Sequence, residues 1–275
     1  MTNTPEGMAR LDMSNMGMNT DSEVLLKNID INIRRQLPQC QAYEMQDTPI
    51  AIVAGGPSLR DTRDELKAQY DAGVKLVAVN GTHDWLIAND MLPSVMVMVD
   101  GRESNHRFVQ HPVETCKYLI ASQCAPEVFD ALDGQDVYIW HAANDMGENA
   151  VLNDYYLGNY PLVVGGSTVT LRAIWLMRML GFRRMDVYGF DSCYVGDAHH
   201  AYPQPENDGS EVRKVWCAGK EFQCAAWQVS QAEDFMQFAG KLGDHFELNV
   251  HGDGLIAHII KRGAEFRDQF HIRER

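Results

Sequence analysis

The chain has 275 residues, of which 45% are hydrophobic and 23% are charged, the usual balance for a globular protein. Its net charge of −14 argues against wholesale binding of nucleic acid or anionic membrane, because the summed field repels phosphate polymers. No apolar stretch reaches the length of a membrane span, and the N-terminus shows no signal-peptide core. Six cysteines without a C-x-x-C pair indicate reduced thiols. These features predict a soluble, cytoplasmic protein with one main domain.

The N-terminal part of the chain predicts a leader and one helix. Residues 1–20 lack hydrophobic periodicity and are expected to form a mobile leader. Asp21-Ser22 is predicted to cap a helix over residues 23–36. Its expected apolar face consists of Val24, Leu25, Ile29 and Ile31. The predicted division is therefore leader plus helix over 1–47, main domain over 48–262 and C-terminal tail over 263–275.

From Ile50 onward, short apolar runs alternate with helical patterns. The predicted strands are Ile50–Ala54, Leu76–Asn80, Val95–Val99, Tyr118–Ala121, Val137–Trp140, Met185–Tyr188 and Phe246–Val250. The predicted helices are Asp61–Ala72, Thr82–Asn89, Pro126–Leu132, Ser167–Leu180, Phe222–Gly240 and Gly254–Lys261. This alternation predicts an α/β fold with a Rossmann-like, doubly wound, mostly parallel sheet and helices on both faces. Ligands of such sheets bind beyond the carboxyl ends of the strands.

The first predicted strand ends in the turn Gly55-Gly56-Pro57-Ser58. A strand that turns sharply into a helix presents free N–H groups and the positive end of the helix dipole, which favour phosphate. Glycine lets the backbone approach an anion closely, and Ser58 adds a hydroxyl donor. The four residues are therefore predicted to cradle phosphate. The alternative is a tight turn without a ligand.

Three further strand ends carry polar side chains that a shared crevice would bring together. Asn80 is predicted to bind a ribose or a phosphate, although Asn-Gly also commonly forms a plain turn. Asp100 and Asp191 each follow an apolar strand and are predicted ligands of Mg²⁺, which takes one or two carboxylates together with substrate phosphates. The alternative for each is a helix cap or an Asx-turn.

A second glycine-rich helix start, Gly165-Gly166-Ser167-Thr168, is predicted to hold the far end of a phosphorylated ligand through Gly166 and Ser167. Its alternative is an ordinary Ser/Thr cap. Basic side chains near these turns can neutralise phosphate, and among them Arg102 is the preferred candidate.

The segment from residue 192 to about residue 220 is polar and irregular, as expected of an insertion that covers an active site. His199 and His200 lie within it, and an imidazole suits general acid–base catalysis because its pKa is near neutral. Exposed loop histidines are the alternative. A further alternative is a tetrahedral zinc site, although the spacing of the candidate ligands fits no zinc motif. These candidates are Cys193, His199, His200, Cys217 and Cys224.

Two ordered sets of motifs resemble a known family. The first set is Gly56-Pro57-Ser58-Leu59, Val79-Asn80 and Pro93 followed by Val99-Asp100. The second is Gly165-Gly166-Ser167-Thr168-Val169, Leu180-Gly181-Phe182 and Tyr188-Gly189-Phe190-Asp191. Together they resemble the 6-hydroxymethylpterin diphosphokinase MptE-like domain, shared with Maf-type flagellin glycosylation proteins. More distantly the chain is similar to bacterial lipooligosaccharide sialyltransferases. The resemblance covers roughly residues 48 to 260.

The resemblance implies a transferase that binds the phosphates of a nucleotide-activated donor, either a nucleotide sugar or ATP with Mg²⁺, and acts on an unidentified acceptor. It implies His199 or His200 as general acid or base and Asp191 as a catalytic strand-end residue. Gly55 stands where the sialyltransferases carry a donor-binding Asn, which puts a cytidine sugar donor in doubt. The alternatives are a non-catalytic nucleotide-binding or scaffold protein and a partner protein that assembles through its N-terminal helix.

Overall fold

The computed structural model describes residues 8–10, 20–205, 208–243, 245–262 and 271–273. Its strands are β1 (Met8–Arg10), β2 (Gln46–Val53), β3 (Lys75–Val79), β4 (Val95–Met98), β5 (Lys117–Ala121), β6 (Asp136–Ala142), β7 (Leu162–Val163), β8 (Phe182–Tyr188), β9 (Val212–Cys217), β10 (Lys220–Ala225), β11 (Glu247–Val250) and β12 (His271–Arg273). Its α-helices are α1 (Ser22–Ile33), α2 (Arg63–Asp71), α3 (Thr82–Ala88), α4 (Pro126–Ala131), α5 (Glu148–Tyr156), α6 (Val169–Met179), α7 (Ala226–Ala239) and α8 (Leu255–Arg262). Short 3₁₀ turns cover Pro57–Leu59 and Glu103–Val109.

Eight strands form one parallel sheet in the order β11-β8-β2-β3-β4-β5-β6-β7. All seven predicted strands lie in it, and the predicted Rossmann-like α/β fold is confirmed. From β2 the chain proceeds to one side as far as β7, and then returns to place β8 and β11 on the other side of β2. The strand order thus reverses beside β2, where an open α/β sheet forms its ligand crevice.

The two faces of the sheet pack against different helices. Along β2, Ile50 and Ile52 belong to the larger core, together with buried residues of α1, α6 and α7. Ala51 and Val53 point the other way and join a smaller core with Leu66 of α2. Successive side chains of a strand alternate between its faces, so an apolar run such as β2 is buried on both sides.

Helix α1 is part of the larger core. Asp21 caps it as predicted, since its carboxylate accepts from the Glu23 amide at 2.8 Å. The predicted apolar face is partly wrong, because Val24 is 46% and Ile31 is 37% exposed. The buried face is the i, i+4 series Leu25, Ile29 and Ile33, beside two buried asparagines, Asn28 and Asn32, because residues four apart share one face of a helix.

A second sheet contains four strands in the order β1-β12-β9-β10. Its hairpin β9–β10 corrects two predictions. The predicted helix Phe222–Gly240 begins only at Ala226, because Phe222 and Cys224 are buried while Glu221 and Gln223 are exposed, the two-residue period of a strand. The segment predicted to be irregular up to about residue 220 includes strand β9.

Besides the strands of the second sheet, three described elements have no counterpart among the sequence predictions, namely α5, β7 and the 3₁₀ turn Glu103–Val109. Met8–Arg10 of the predicted leader pairs antiparallel with His271–Arg273 of the predicted tail. The remaining residues of the first nineteen, and most of the tail, lie outside the described residues. Among the helices that the structure describes, none has both the length and the apolarity to cross a bilayer.

Candidate functional site

A cavity of about 1230 Å³ opens at the carboxyl ends of the parallel strands. One wall consists of residues that follow β2, β3, β4, β5, β6 and β8, and the opposite wall consists of the start of α6, the insertion after β8 and helix α7. The volume is large enough for a nucleotide with an attached group. Every predicted site residue except Pro57 and Ser58 lines the cavity, so the structure brings the predicted set together.

The glycine-rich turn after β2 is already bonded within the protein. The Gly56 amide donates to the Gly189 carbonyl at 2.7 Å, and the Leu59 amide donates to the Gly56 carbonyl at 3.1 Å. The Ser58 amide donates to Oδ2 of Asp191 at 2.8 Å. A carboxylate of the protein itself therefore lies where the predicted phosphate would bind.

Asp191 is enclosed by two glycine-containing turns, one after β2 and one after β11. A Cβ on Gly56 would lie 2.4 Å from its Oδ2, and one on Gly254 would lie 2.5 Å from its Oδ1. The side chain is only 2% exposed, and burial raises the pKa of the Asp191 carboxyl above 3.8, with the hydrogen bond from the Ser58 amide opposing the rise. Oδ1 of Asp191 and Oγ of Ser58 have no hydrogen-bond partner among the described residues.

The insertion brings His200 and Tyr202 against the first glycine of the turn. A Cβ on Gly55 would lie 2.6 Å from the Tyr202 hydroxyl and 2.8 Å from Cδ2 of His200, so these rings fill the space that a side chain at position 55 would need. The Ala201 amide donates to the Gly55 carbonyl at 2.8 Å. The carbonyl of Ala201 in turn accepts from Nε of Arg60 at 2.7 Å. These bonds fix the insertion over the turn.

His199 lies behind His200 in an aromatic cluster. The two imidazoles meet edge to face with centroids 4.6 Å apart, and His199 also contacts Tyr194 and Trp227. Nε2 of His199 lies 3.8 Å from Oδ1 of Asp208. Since both histidines line the cavity and His200 touches the glycine turn, His200 is the better placed of the two to meet a ligand there.

Asn80 has the left-handed backbone conformation, with φ of 50°, which asparagine tolerates better than most residues. This explains an Asn at the end of β3 without any ligand. Its Oδ1, however, is buried at the cavity wall and has no hydrogen-bond donor among the described residues. A buried acceptor without a donor is unfavourable, so Asn80 is well suited to accept from an N–H or O–H group of a ligand.

Asp100 is paired with Arg102. Nε of Arg102 donates to both carboxylate oxygens of Asp100, at 3.0 and 2.9 Å, and the Arg102 amide donates to Oδ1 at 2.9 Å. Both oxygens of Asp100 are thus engaged by a cation, and Asp191 is buried against Ser58. This arrangement does not fit a divalent-metal site. Within the described ranges, no three His, Cys, Asp or Glu side chains gather closely enough to hold a metal ion.

The second glycine-rich turn also holds a carboxylate of the protein. The amide and hydroxyl of Ser167 donate to Oδ2 of Asp234 at 2.9 and 2.6 Å, and a Cβ on Gly166 would lie 2.6 Å from the same oxygen. Thr168 caps α6 through the Thr170 amide, as its predicted alternative role requires. Asp234 belongs to α7, so this contact joins α7 to the start of α6.

A network that the sequence analysis did not identify lines the wall beyond β5 and β6. The guanidinium of Arg172 donates to Oδ1 of Asn144 at 2.9 Å, and Nδ2 of Asn144 donates to Oε1 of Gln123 at 2.5 Å. Nε2 of Gln123 then donates to the Val99 carbonyl at 2.8 Å. Nothing in the local sequence indicates that Arg172 is buried or that it contacts Asn144.

The cysteines do not form the zinc site considered as an alternative. All six are free and buried. Burial raises the pKa of the Cys193 and Cys217 thiols to about 12, and among the described residues neither belongs to a group of three His, Cys, Asp or Glu side chains that could hold a metal ion. The structure therefore places these cysteines among the core residues.

Residues 23–197 match the family described as 6-hydroxymethylpterin diphosphokinase MptE-like. The match covers well over half of the chain. The chain belongs to the MptE-like family. This confirms the resemblance drawn from the two sets of motifs. No curated protein sequence matches the chain significantly.

Solved structures resemble this MptE-like chain at low sequence identity. The structure of Maf glycosyltransferase from Magnetospirillum magneticum AMB-1 superposes with a TM-score of 0.69 at 17% identity, over 87% of this chain and 38% of that one. The MptE-like chain thus spans less than two fifths of the Maf protein. A mammalian sialyltransferase in complex with Gal-beta-1-3GalNAc-ortho-nitrophenol gives a TM-score of 0.44 at 10% identity, over 88% of this chain and 89% of that one. At 17% identity, the likeness to the Maf structure shows a shared fold and no more.

Proposed function

We propose that this MptE-like protein is a transferase that moves a glycosyl group from a nucleotide-activated sugar to an acceptor hydroxyl. The observation that carries the proposal is the contact of His200 and Tyr202 with Gly55. It joins a titratable side chain of the insertion to the strand-end crevice in which an α/β sheet binds nucleotides. A general base and a donor site are the two parts that such a transfer needs.

The superposed Maf structure supports this proposal. The superposed Maf protein is a glycosyltransferase by name, and it shares the fold over most of the MptE-like chain. ATP-dependent pyrophosphoryl transfer is the other chemistry implied by the family description. It is less well supported, because Asp100 is held by Arg102 and Asp191 is sealed against Ser58, so neither is poised to bind the Mg²⁺ that such a donor needs.

In the proposed reaction, an imidazole nitrogen of His200 takes the proton of the acceptor hydroxyl. The acceptor oxygen forms a bond to the anomeric carbon of the sugar, while the bond from that carbon to the donor phosphate oxygen breaks. The bonding electrons leave with the phosphate. Oδ1 of Asn80 accepts from a hydroxyl or amino group of the nucleoside, and this contact orients the donor for attack.

The first test of donor class is a thermal-unfolding screen of the pure protein with nucleotides and nucleotide sugars, each with and without Mg²⁺. A ligand that binds only the folded state raises the midpoint. We expect a nucleotide sugar and its nucleotide product to raise it without Mg²⁺. A rise only with ATP and Mg²⁺ would instead support pyrophosphoryl transfer.

Turnover is tested by the release of free nucleotide from the sugar donor, with water as acceptor. We expect His200→Ala to reduce the rate by roughly a hundredfold, the typical contribution of a general base. Gly55→Ala should also reduce it, because the added Cβ displaces Tyr202 and His200. Gly240→Ala is the matched control, since its Cβ would meet nothing within 4 Å. Donor binding without turnover, unaffected by replacing both histidines, would favour a non-catalytic binding or scaffold protein.

A further inference from the structure

The cavity contains a buried positive charge that is not matched by a bonded carboxylate. Three arginines line the cavity. Arg102 is paired with Asp100, and Arg213 is paired with Glu211 at 3.0 Å. Arg172 differs from both, because among the described residues no carboxylate lies within ion-pair distance of its guanidinium.

The bonds of Arg172 go to neutral oxygens only. Its Nε donates to the Gly166 carbonyl at 3.0 Å, and one terminal nitrogen donates to the carbonyls of Ala143 and Val163 at 2.9 and 2.6 Å. The other terminal nitrogen donates to Oδ1 of Asn144 at 2.9 Å. A guanidinium has five N–H groups, and these bonds use four of them.

The buried surroundings of Arg172 disfavour the charged form of its guanidinium. The residue is only 7% exposed, and burial lowers the pKa of its guanidinium to about 10. Asp234 and Glu148 oppose that shift from a distance, but each is bonded elsewhere, Asp234 to Ser167 and Glu148 to the amides of the turn before α5. Buried charges in proteins are normally paired or bound to a counter-ion.

The neighbouring amides present further donors to the cavity. Since Oδ1 of Asn144 accepts from Arg172 and Oε1 of Gln123 accepts from Asn144, their oxygens are occupied and the orientation of both amides is fixed. Each NH₂ group has two N–H bonds, of which one is used in this network. The wall therefore carries a buried cation and two amide groups, each with one N–H bond that this network does not use.

We propose that Arg172, Asn144 and Gln123 form an oxyanion-binding subsite that takes a phosphate or carboxylate group of the ligand. An oxyanion there would supply the counter-charge that Arg172 lacks, and would accept from the amides of Asn144 and Gln123. The glycine-rich turns, in contrast, already hold the carboxylates of Asp191 and Asp234. The subsite deepens the proposed function, since it would bind an acidic group of the sugar donor.

The experiment uses small oxyanions, so that the subsite is tested independently of transfer. The unfolding midpoint and calorimetric binding of the full chain are measured with pyrophosphate, with glucuronate, and with chloride at equal ionic strength. We expect pyrophosphate or glucuronate to raise the midpoint above the chloride value. A rise with pyrophosphate alone identifies a phosphate subsite, and a rise with glucuronate alone identifies a carboxylate subsite.

Asn144→Asp is the decisive variant, because it places a carboxylate beside Arg172 while its oxygen still accepts from the guanidinium. It should weaken oxyanion binding at least roughly tenfold, the loss expected for one charge-assisted bond. Arg172→Gln should do the same and serves as the second variant if Asn144→Asp folds poorly. Asn149→Asp makes the same chemical change at an exposed position of α5 and should bind like the wild type.

Two results would overturn the proposal. One is a wild-type midpoint that neither oxyanion raises above the chloride value. The other is a folded Asn144→Asp or Arg172→Gln protein that binds the oxyanion as tightly as the wild type. Both results leave the transfer assay unaffected, so failure of the subsite is distinguishable from failure of the proposed function.

Discussion

At the scale of single residues, Asp191 shows how a strand-end carboxylate can stabilise a turn. It accepts the Ser58 amide and is closed in by the backbone of Gly56 and Gly254. Its carboxylate supplies the negative partner that the start of a 3₁₀ turn favours. We infer that Asp191 shapes the crevice, and that the ligand meets the crevice through the residues around it.

The buried carboxyl of Asp191 should make stability depend on pH. Burial raises its pKa in the folded state above 3.8. As the pH rises, the carboxyl therefore ionises first in the unfolded state, and this lowers the free energy of unfolding of the wild type. Asp191→Asn keeps an oxygen for Ser58 and has no charge. We therefore expect the free energy of unfolding of the variant to increase relative to that of the wild type as the pH rises from about 3.8.

Chemical denaturation of both proteins at a series of pH values measures this difference. Asp154→Asn, at an exposed position of α5, is the control and should show no such trend. A constant difference between Asp191→Asn and the wild type across the series would mean that the folded-state pKa of Asp191 is not raised.

The sequence predicted the residues of the crevice better than their bonds. Gly55, Asn80 and Asp100 could be identified because each follows an apolar strand, and strand ends of one parallel sheet meet at one edge. The partners of the predicted turns could not be identified in this way. Asp234 reaches Ser167 from 67 positions away, and no local pattern indicates which distant carboxylate will bind a given turn.

At the scale of elements, His251 connects β11, β8 and α2. It follows β11, and its Nε2 donates to Oδ1 of Asp186 in β8 at 2.8 Å. Its Nδ1 lies 2.9 Å from Oε1 of Glu65 in α2, and its ring stacks on Tyr188 at 4.2 Å. An imidazolium between two carboxylates ties the edge of the sheet to the helix above it.

This contact should make stability fall on the alkaline side. The bond to Asp186 raises the folded-state pKa of His251 above 6.5, together with Glu65 and against the effect of burial. The stabilisation by protonated His251 is therefore complete below pH 6.5 and is lost as the pH rises through its folded-state pKa. His251→Gln should lack this loss when unfolding free energies are compared from about pH 6 to about pH 9.

His111→Gln is the matched control, because the side chain of His111 is 78% exposed. Its stability should follow the wild type over the same pH range. An alkaline loss that persists unchanged in His251→Gln would assign the effect to another group.

Element prediction succeeded where one local pattern decided the structure. The strands of the parallel sheet are continuous apolar runs, which are typical of strands buried on both faces. Strand β10 was missed because Ala225 and Ala226 continue an apolar pattern into α7, and its partner β9 lies in a polar segment.

The sequence predicts helix α1 but not the burial of its asparagines. Nδ2 of Asn32 donates to the carbonyls of Ser122 and Cys124 at 3.0 and 2.8 Å, bonds that depend on the tertiary fold.

At the scale of the whole molecule, the six buried thiols provide a probe of global unfolding. They lie in both halves of the chain, and burial raises the pKa of Cys40 and Cys116 to about 12. The native protein should therefore react with a thiol reagent only as fast as it unfolds, because the thiolate is the reactive form.

Labelling with a chromogenic disulfide, in buffer and in denaturant, measures this. We expect six thiols to react together in denaturant and almost none in native buffer. Rapid reaction of one or two thiols in native buffer would instead reveal local opening near those cysteines.

The strand order has a consequence for how the protein folds. Strand β8 pairs with β2 across more than 130 positions of chain, as the bond between Ser58 and Asp191, 133 positions apart, illustrates. Closing so long a loop costs chain entropy before any contact compensates for it, and folds rich in such distant pairings fold slowly. During synthesis, a chain that ends before β8 lacks the residues that follow β8, the insertion and helix α7, and with them a large part of the crevice lining. The complete crevice therefore forms late in synthesis. A ligand that needs the whole crevice stabilises the finished protein and not the early folding intermediates.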